Sequence, residues 1–430
     1  MNYRQAEEII NSAKKFGSKP ELERIEKLLK IIDNPQDQLK CVHIAGTNGK
    51  GSVSFSLASV LKSAGYKVGL FTSPEISDWR EKIQINGEKI SKSKVCKLLD
   101  FFKPILESKN FEEDKITEFE LTTAMAFKFF KDEHCDIAVI ETGMGGKWDA
   151  TNVLKKPICS VITSISKDHT KFLGDTLEQI AEEKCGIIKP HCPVILAENQ
   201  PQEVQAIAKS IAKIRESEII IANISCVKNV TCNIENGMQF DYKNLHINTN
   251  LMGKHQIKNL TCVLTALEVI KKDFKIPNKS VVEGLSQVAI PCRLEIVNRN
   301  PIVILDGAHN PAGAETLSDF IKNHLKGKKI IGIMGMFKDK DFETVCATVA
   351  PLLNKIYAVQ SNSQRALELS KMRGCVAKYN KNVEEKKVIK EALQTALQEY
   401  SSNNDVVIVF GSFSIMAEAK NFFDTLSKNT

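Results

Sequence analysis

The feature that most constrains the fold is an apolar run that leads into a glycine-rich loop and then into a helical pattern. Residues 41–45 form a short, almost wholly apolar run, and residues 46–52 follow with three glycines. Val53 to Ala64 has the spacing of a helix, which Gly65 ends. A strand that is apolar on both faces is typical of a parallel sheet covered by helices. This segment therefore predicts a strand–loop–helix unit at the centre of an α/β domain.

The same alternation of short apolar runs and helical patterns continues along the chain. Strands are predicted at Lys67 to Thr72, Ile137 to Ile140 and Ile158 to Ile165, and a second block of them begins near Pro301, at residues 302–305, 330–334, 356–359 and 406–410. Strands separated by helices indicate parallel sheets. A chain of 430 residues is too long for one ordinary core. We therefore predict two domains, residues 1–293 and 294–430.

The segment from about Val194 to Asn250 has a different pattern. It combines the apolar run of residues 219–222 with period-two stretches such as Gln239 to Ile247, around an Asn236-Gly237 turn signal. These features predict a small antiparallel or mixed sheet, followed by a long helix from His255 to Phe274. The predicted fold class is thus α/β: an N-terminal P-loop domain on a mostly parallel sheet with a small added β subdomain, and a C-terminal Rossmann-like α/β domain.

Composition limits the classes of partner. The net charge of +7, from 59 basic and 52 acidic residues, suits anionic small molecules, and no basic run indicates nucleic acid. The 12 cysteines include no C-x-x-C pair, so we interpret them as buried reduced thiols. The N-terminus lacks the apolar core of a signal peptide, and no stretch approaches the ~20 apolar residues that span a bilayer. We expect a cytoplasmic monomer with no membrane or nucleic-acid partner.

The glycine-rich loop is the strongest chemical signal. Glycines let the backbone approach phosphates, and a helix N-terminus offers unpaired N–H groups with a partial positive charge. Lys50 would reach the β- and γ-phosphates, and the Ser52 hydroxyl would hold Mg²⁺. The strict P-loop pattern is not met, because Ile44 occupies its first glycine position and Gly51 precedes Ser52. The predicted nucleotide-binding residues of the loop are Thr47, Asn48, Gly49, Lys50, Gly51 and Ser52.

Further candidates follow two other predicted strands. Glu141 comes directly after residues 137–140, and Asp168-His169 follow the strand that ends near Ile165. Open α/β sheets bind ligands at the carboxyl ends of their strands. Glu141 is therefore a Mg²⁺ ligand or else a cap or solvated acid, and His169 is catalytic or metal-binding or else an ordinary exposed side chain. By its pattern alone, Lys184 is an exposed lysine near a helix end, with no catalytic role.

These motifs, in this order, resemble the folylpolyglutamate synthase/dihydrofolate synthase family, a branch of the Mur ligase superfamily. The resemblance covers nearly the whole chain and depends on collinear motifs, none of which is specific by itself. The motifs include HIAGTNGKGS at 43–52, TSP at 72–74, REKI at 80–83, ETGMGGKWDATN at 141–152, DHT at 168–170, LGDT at 173–176, EKCGII at 183–188, GKHQ at 253–256, RLE at 293–295 and DGAHNP at 306–311.

The resemblance implies an ATP-dependent ligase. It would join L-glutamate to the carboxylate of a folate through an acyl phosphate, with release of ADP and phosphate. The implied ligands of two Mg²⁺ ions are Ser52, Ser73, Glu141, His169 and a carbamylated Lys184. The implied nucleotide contacts outside the loop are Asn259, Arg293 and Asp306. The implied catalytic residues are Lys50, Lys184 and His309, and the folate would lie near Asp149 and Thr122.

Some positions depart from the family pattern, and alternatives stay open. Glu75 stands where His is usual, and Trp148 replaces an Arg or Leu type, which leaves the pterin and chain-length preference open. The sequence also leaves open whether the enzyme converts dihydropteroate to dihydrofolate. The alternatives are a Mur-type peptide ligase acting on a UDP-linked sugar and a non-catalytic nucleotide-binding module. A loop beginning at Gly46 leaves no room for a sugar-binding N-terminal domain, and a degenerate module would be expected to lack a metal ligand.

Overall fold

The first half of the chain is built on a large, mostly parallel sheet. The computed structural model describes residues 1–17, 19–399, 402 and 404–428. Within these residues the sheet has eight strands in the order β4-β3-β2-β5-β1-β6-β7-β8, and its antiparallel pairs are β2 with β3 and β3 with β4. The strands are β1 Cys41–Ala45, β2 Val68–Phe71, β3 Ile83–Ile85, β4 Glu88–Lys89, β5 Ile137–Glu141, β6 Cys159–Ile162, β7 Val194–Ala197 and β8 Ile219–Ala222.

Helices cover both faces of this sheet, as expected for strands that are apolar on both sides. One core lies under α3, α9 and α10, and the opposite core lies under α1, α2, α4 and α5. The helices are α1 Tyr3–Ala13, α2 Glu23–Ile31, α3 Lys50–Ser63, α4 Lys92–Leu106, α5 Glu118–Asp132, α6 Thr170–Leu173, α7 Leu177–Cys185, α8 Gln202–Ile214, α9 His255–Ile270 and α10 Asn278–Gln287. The predicted helix from Val53 was wrong at its start, because α3 begins at Lys50.

The small added sheet exists, but it is smaller than predicted. It has three antiparallel strands, β9 Val227–Asn233, β10 Gly237–Tyr242 and β11 Leu245–Thr249, with the Asn236-Gly237 signal between β9 and β10. The apolar run of residues 219–222 was assigned to it wrongly, because these residues form β8 and pair with β7 in the main sheet. Cys232 and Ile234 of the small sheet pack against the core of the second half. The small sheet therefore contacts both halves, because its other strands pack in the core of the first half.

The second half has its own sheet and two cores, one on each face. Its strand order is β12-β13-β17-β14-β15-β16, and β12 alone pairs antiparallel. The strands are β12 Glu295–Arg299, β13 Ile302–Asp306, β14 Lys329–Met334, β15 Lys355–Val359, β16 Val383–Lys386 and β17 Asp405–Phe410. The helices are α11 Pro311–His324, α12 Phe342–Val349, α13 Leu369–Ala377, α14 Ile389–Glu399 and α15 Phe413–Lys428.

The α/β fold class with its two sheet domains is therefore confirmed. The boundary after residue 293 stays a prediction, although α10 ends at Gln287 and β12, at Glu295, already belongs to the second sheet. Each of the 12 cysteines is a free thiol, and eight of them are buried. In the described part of the chain, no helix has both the length and the apolar character needed to cross a membrane.

Candidate active site

A cavity of about 840 Å³ lies between the carboxyl edges of the two sheets, and we call it the interdomain cavity. The first domain contributes lining residues from the loops after β1, β2, β5 and β6 and from α7. The second contributes residues from the loops after β13, β14 and β17. The lining includes these predicted site residues: Thr47, Asn48, Gly49, Lys50, Gly51, Ser52, Ser73, Glu141, Asp149, His169, Lys184, Arg293 and His309.

The glycine-rich loop has the geometry of a phosphate cradle. A Cβ at Gly46 would lie 1.8 Å from the Thr163 hydroxyl oxygen, and a Cβ at Gly49 would lie 2.3 Å from the Asn259 amide oxygen. Gly49 is also the N-cap of α3, with a φ of 92° that favours glycine. Because α3 begins at Lys50, its unpaired first-turn N–H groups lie at the cavity, where an anion would satisfy them.

Lys50 folds back over the loop that precedes it. Its Nζ donates to the carbonyl oxygens of Gly46 and Thr47, at 3.2 and 3.3 Å. Burial lowers the pKa of Lys50, against the opposing charges of Glu141 and Asp168. The ammonium group is therefore held at the loop by backbone carbonyls, from which a phosphate oxygen could draw it.

Glu141, the last residue of β5, has a buried carboxylate with an unsatisfied oxygen. The side chain is almost wholly buried, and its Oε2 has no hydrogen-bond partner. Burial raises the pKa of Glu141 to about 7, against the opposing charges of Lys50 and Arg293. A buried, unpaired acceptor of this kind is costly unless a cation or donor satisfies it. Beside the hydroxyls of Ser52 and Ser73, which also line the cavity, it fits a hard cation such as Mg²⁺.

His169 completes the oxygen and nitrogen donors on this side of the cavity. It is the N-cap of the short α6, with a φ of 50°, and it lines the cavity. The residue as a whole is exposed, but partial desolvation of its ring at the cavity, together with the charge of Lys340, lowers the pKa of His169 to about 4, which favours the neutral imidazole that binds metals. In the described chain, no three His, Cys, Asp or Glu side chains cluster as a metal site.

Lys184 is not the exposed lysine that its sequence pattern predicted. Only 4% of it is exposed, and its Nζ donates to the Gly46 carbonyl oxygen at 2.8 Å. Burial, and then the charge of Lys50, lower the pKa of Lys184 to about 7. A Cβ at Gly146 would lie 2.6 Å from the Glu183 carbonyl oxygen, so only a glycine there lets the loop after β5 close over α7. This close approach is what buries the lysine.

Arg293, at the domain boundary, and the residues predicted from the second domain lie at or just behind the cavity. Arg293 stacks on the Phe413 ring at 5.0 Å, and His309 faces the cavity while its Nδ1 lies 2.8 Å from the Gly307 carbonyl oxygen. Asp306 lies behind them: it is half-buried, and it accepts hydrogen bonds from the backbone N–H groups of Leu294 and Ala308, each at 3.0 Å.

Asn259 approaches the glycine-rich loop from α9. Its Nδ2 donates to the Gln256 Oε1 at 2.9 Å, and its Oδ1 faces the backbone of Gly49. The amide thus backs the phosphate cradle without lining the cavity itself.

The two predicted folate contacts differ. Asp149 lines the cavity, and its carboxylate accepts from the backbone N–H groups of Gly143 and Met144, both at 2.9 Å, so it shapes the loop after β5. Thr122 lies on α5 outside the cavity lining, and its hydroxyl donates to Glu118. The residues that the start of this helix brings to the cavity are Thr117, Phe119 and Glu120.

Comparison with known proteins decides the family. Residues 44–267 match the Mur ligase middle domain, and residues 292–413 match the Mur ligase glutamate ligase domain. A dihydrofolate synthase/folylpolyglutamate synthase of Bacillus subtilis is 34% identical over 429 residues, covering 97% of this chain and 98% of the relative. The chain belongs to the folylpolyglutamate synthase/dihydrofolate synthase family.

Solved structures agree with this assignment. A folylpolyglutamate synthase of Mycobacterium tuberculosis complexed with ADP has a TM-score of 0.89 and 26% identity, with 98% of both chains covered. A folylpolyglutamate synthase of Thermotoga maritima has a TM-score of 0.86 and 32% identity, covering 98% of this chain and 97% of the other. The chain is therefore an ATP-dependent ligase of the Mur type, in its folate branch. The alternatives of a sugar-linked peptide ligase and of a non-catalytic module are set aside.

Two charged groups at this ligase's cavity were not predicted as functional. Lys82 is buried between Glu75 and Glu118, with N–O distances of 3.0 and 2.9 Å, so Glu75, which departs from the family pattern, neutralises a lysine. Lys340 lies on the loop after β14 and pairs with Asp168 at 2.7 Å. The sequence carried no local signal for either group, because each lysine meets its partner only in the folded chain.

Proposed function

We propose that the interdomain cavity activates a folate carboxylate with ATP and joins it to the amine of L-glutamate. The observation that carries this proposal is the phosphate cradle at the start of α3, which faces the unsatisfied Glu141 carboxylate in one cavity closed by both domains. The carboxylate oxygen attacks the γ-phosphorus, the bond to the β–γ bridging oxygen breaks, and ADP leaves. The glutamate amine then attacks the acyl carbon, loses a proton, and expels phosphate.

Nucleotide binding in this proposal uses both domains. The first-turn N–H groups of α3 and the Lys50 ammonium would bind the phosphates and offset the charge that develops on the γ-phosphate. Asn259 backs the loop, and Arg293, at the domain boundary, enters the cavity beside Phe413 of the second domain. Asp306, whose carboxylate accepts from two backbone N–H groups behind the cavity lining, would support the nucleotide contacts at the edge of the second sheet.

Two Mg²⁺ ions would be held by Ser52, Ser73, Glu141, His169 and a carbamylated Lys184. When bound, these ions supply positive charge that offsets the phosphate oxygens. The unpaired Glu141 oxygen and the neutral imidazole of His169 support this set. Lys184 supports it through its lowered pKa, since a neutral amine can add to CO₂, lose a proton and become a carbamate anion.

The remaining residues position the substrates. Asp149, which lines the cavity, would contact the folate. Thr122 would act indirectly, because its hydroxyl donates to Glu118, whose carboxylate pairs with Lys82. His309, which faces the cavity from the second domain, would orient the nucleotide or the incoming amine. Bringing the reacting groups together and excluding water from the acyl phosphate would supply much of the rate enhancement.

A second activity on dihydropteroate is the other candidate. The Bacillus subtilis relative bears the names of both synthases, which favours a bifunctional enzyme. We also propose a monomeric, cytoplasmic protein whose partners are small molecules.

The experiment offers the purified protein ATP, Mg²⁺ and L-glutamate with either a reduced folate or dihydropteroate. ADP release and the product mass are followed. We expect a mass gain of one glutamyl residue on the folate, and the same gain on dihydropteroate if the enzyme is bifunctional. ADP release without any glutamylated product from either substrate would contradict the proposed reaction.

A further inference from the structure

The Asp168 carboxylate, in the loop after β6, accepts polar contacts from the second domain. Its Oδ1 lies 2.7 Å from the Lys340 Nζ, and its Oδ2 accepts from the Asn310 Nδ2 at 3.0 Å. The His309 Nε2 lies 3.7 Å from the same Oδ2. Within its own domain, Oδ1 also accepts from the His169 backbone N–H at 2.8 Å. One carboxylate therefore collects donors from two loops of the opposite domain.

Asn310 extends this contact to the glycine-rich loop. Its Oδ1 accepts from the Gly313 backbone N–H at 2.8 Å and so caps the N-terminus of α11. Its Nδ2 donates both to Asp168 and to the Asn48 Oδ1, the latter at 3.3 Å. The amide is thus fully used, and its orientation is set by the helix that it caps. The start of α11 is thereby docked directly on the phosphate cradle.

These contacts are not surface pairs that water would weaken. The side chains of Asp168 and Lys340 are 10% and 9% exposed, and Asn310 is 3% exposed. Removing one partner of an ion pair buried to this degree strongly destabilises the folded protein, whereas exposed ion pairs contribute little to stability. Removing the Asp168 charge would therefore disfavour the arrangement in which Lys340 and Asn310 lie against the first domain.

We propose that Asp168 is a positioning residue that latches the second domain over the phosphate cradle, through Lys340 and Asn310. This inference rests on the proposed function, because the latch would matter most while an acyl phosphate lies in the cavity. A closed cavity keeps water from that intermediate, and a loosened one lets water take the place of the glutamate amine. Loss of the latch should then appear as ATP consumed without ligation, rather than as a simple loss of rate.

Asp168→Asn tests the latch, since it removes the charge and keeps the shape. We expect the ratio of ADP released to glutamylated product to rise about two-fold or more, since closure limits hydrolysis. A merely structural role would lower ADP and product together. Asn310→Asp should raise the ratio further, because it retains a good helix N-cap but sets a second carboxylate against Asp168.

A matched control is Asp37→Asn, which removes the same charge from an exposed pair with Lys155 inside the first domain. It should keep the native ratio. Small-angle X-ray scattering of the unliganded variants gives a readout independent of the reaction: we expect a larger radius of gyration for Asp168→Asn and Asn310→Asp than for the control. Native scattering with a native ratio in a folded Asp168 or Asn310 variant overturns the latch. Absence of product from the native protein, with expanded scattering in the variants, counts against the reaction and supports the latch.

Discussion

The carboxyl edges of the two sheets face the same cavity, yet their side chains are satisfied to different degrees. On the first edge, Glu141 keeps an oxygen without a hydrogen-bond partner, and burial lowers the pKa of Lys184 to about 7. On the second, Asp306 accepts from two backbone N–H groups, and Asn310 caps α11 while it bridges to Asp168. The first edge thus has charged groups that a ligand can satisfy, whereas the polar groups of the second edge are already satisfied and fix the loops and helix around them. Substitutions on the first should affect chemistry, and those on the second should affect stability and closure.

The largest effect is expected on the first edge, at Lys50. Lys50→Ala should reduce ADP formation by about 10³-fold, because it removes a fixed positive charge from the developing phosphate charge. The melting temperature should stay at or above the native value, since the buried ammonium is costly in the unliganded protein. Lys62→Ala, an exposed position on the same helix, is the control. Near-native turnover in Lys50→Ala would remove the phosphate cradle from the mechanism.

Lys184→Ala should reduce activity by about 10²-fold, since a metal ligand is lost. Small carboxylates such as acetate or formate should restore part of it by occupying the place of the carbamate. Activity is measured with and without the added acid, and Lys171→Ala, an exposed position on α6, serves as the control. Full activity of Lys184→Ala without any added acid would refute the carbamate.

On the second edge, Asp306→Ala should lower the free energy of unfolding by about 1–3 kcal/mol, because two buried N–H groups lose their acceptor. Urea denaturation gives the value. Asp319→Ala, an exposed position on α11, should change it little. If Asp306→Ala proved as stable as the control while Lys50→Ala were destabilised, the contrast between the two edges would be reversed.

The smallest effect concerns pH. Because the pKa of Glu141 is raised from its usual 4.5 to about 7, the folded state binds more protons than the unfolded state between these values. The contribution of Glu141 to stability should therefore fall as pH rises from about 4.5 to 7 in the absence of Mg²⁺, by a few degrees in melting temperature at most. His43, His169 and His255, whose pKa values burial lowers, act in the opposite sense, so the Glu141 contribution is the difference between the native protein and Glu141→Gln. Melting curves in a chelator that are equally pH-dependent in both proteins would show that another group is responsible.

The strands of both sheets were predictable where they are buried on both faces. Residues 41–45 match β1, and residues 137–140 and 302–305 match β5 and β13 to within one residue. A continuous apolar run bounded by turn residues is sufficient for such strands. The start of α3 was missed, because Gly51 and Ser52 have poor helix propensity and only the Gly49 backbone conformation shows that the helix has begun.

The sequence predicted which residues form the site better than it predicted their burial. Glu141 ends β5 and His169 lies in the loop after β6, so their meeting at one edge could be expected from the alternation of strands and helices. The burial of Lys184 could not, because it depends on Gly146 letting a distant loop close over α7. Nor could the placement of residues 219–222 in the main sheet, since a short apolar run does not reveal which strand it pairs with.

By itself, the sequence determined the α/β fold, the phosphate cradle and the order of motifs that marks the folate branch of the Mur ligases. Each of these follows from local sequence patterns of a few to a few tens of residues. The tertiary structure alone decided which charges are unsatisfied and which are paired. The Asp168 contact joins residues 172 positions apart, and the unpaired Glu141 oxygen reflects the burial around it. Pairing and desolvation are properties of the packed chain, and no local pattern in the sequence records them.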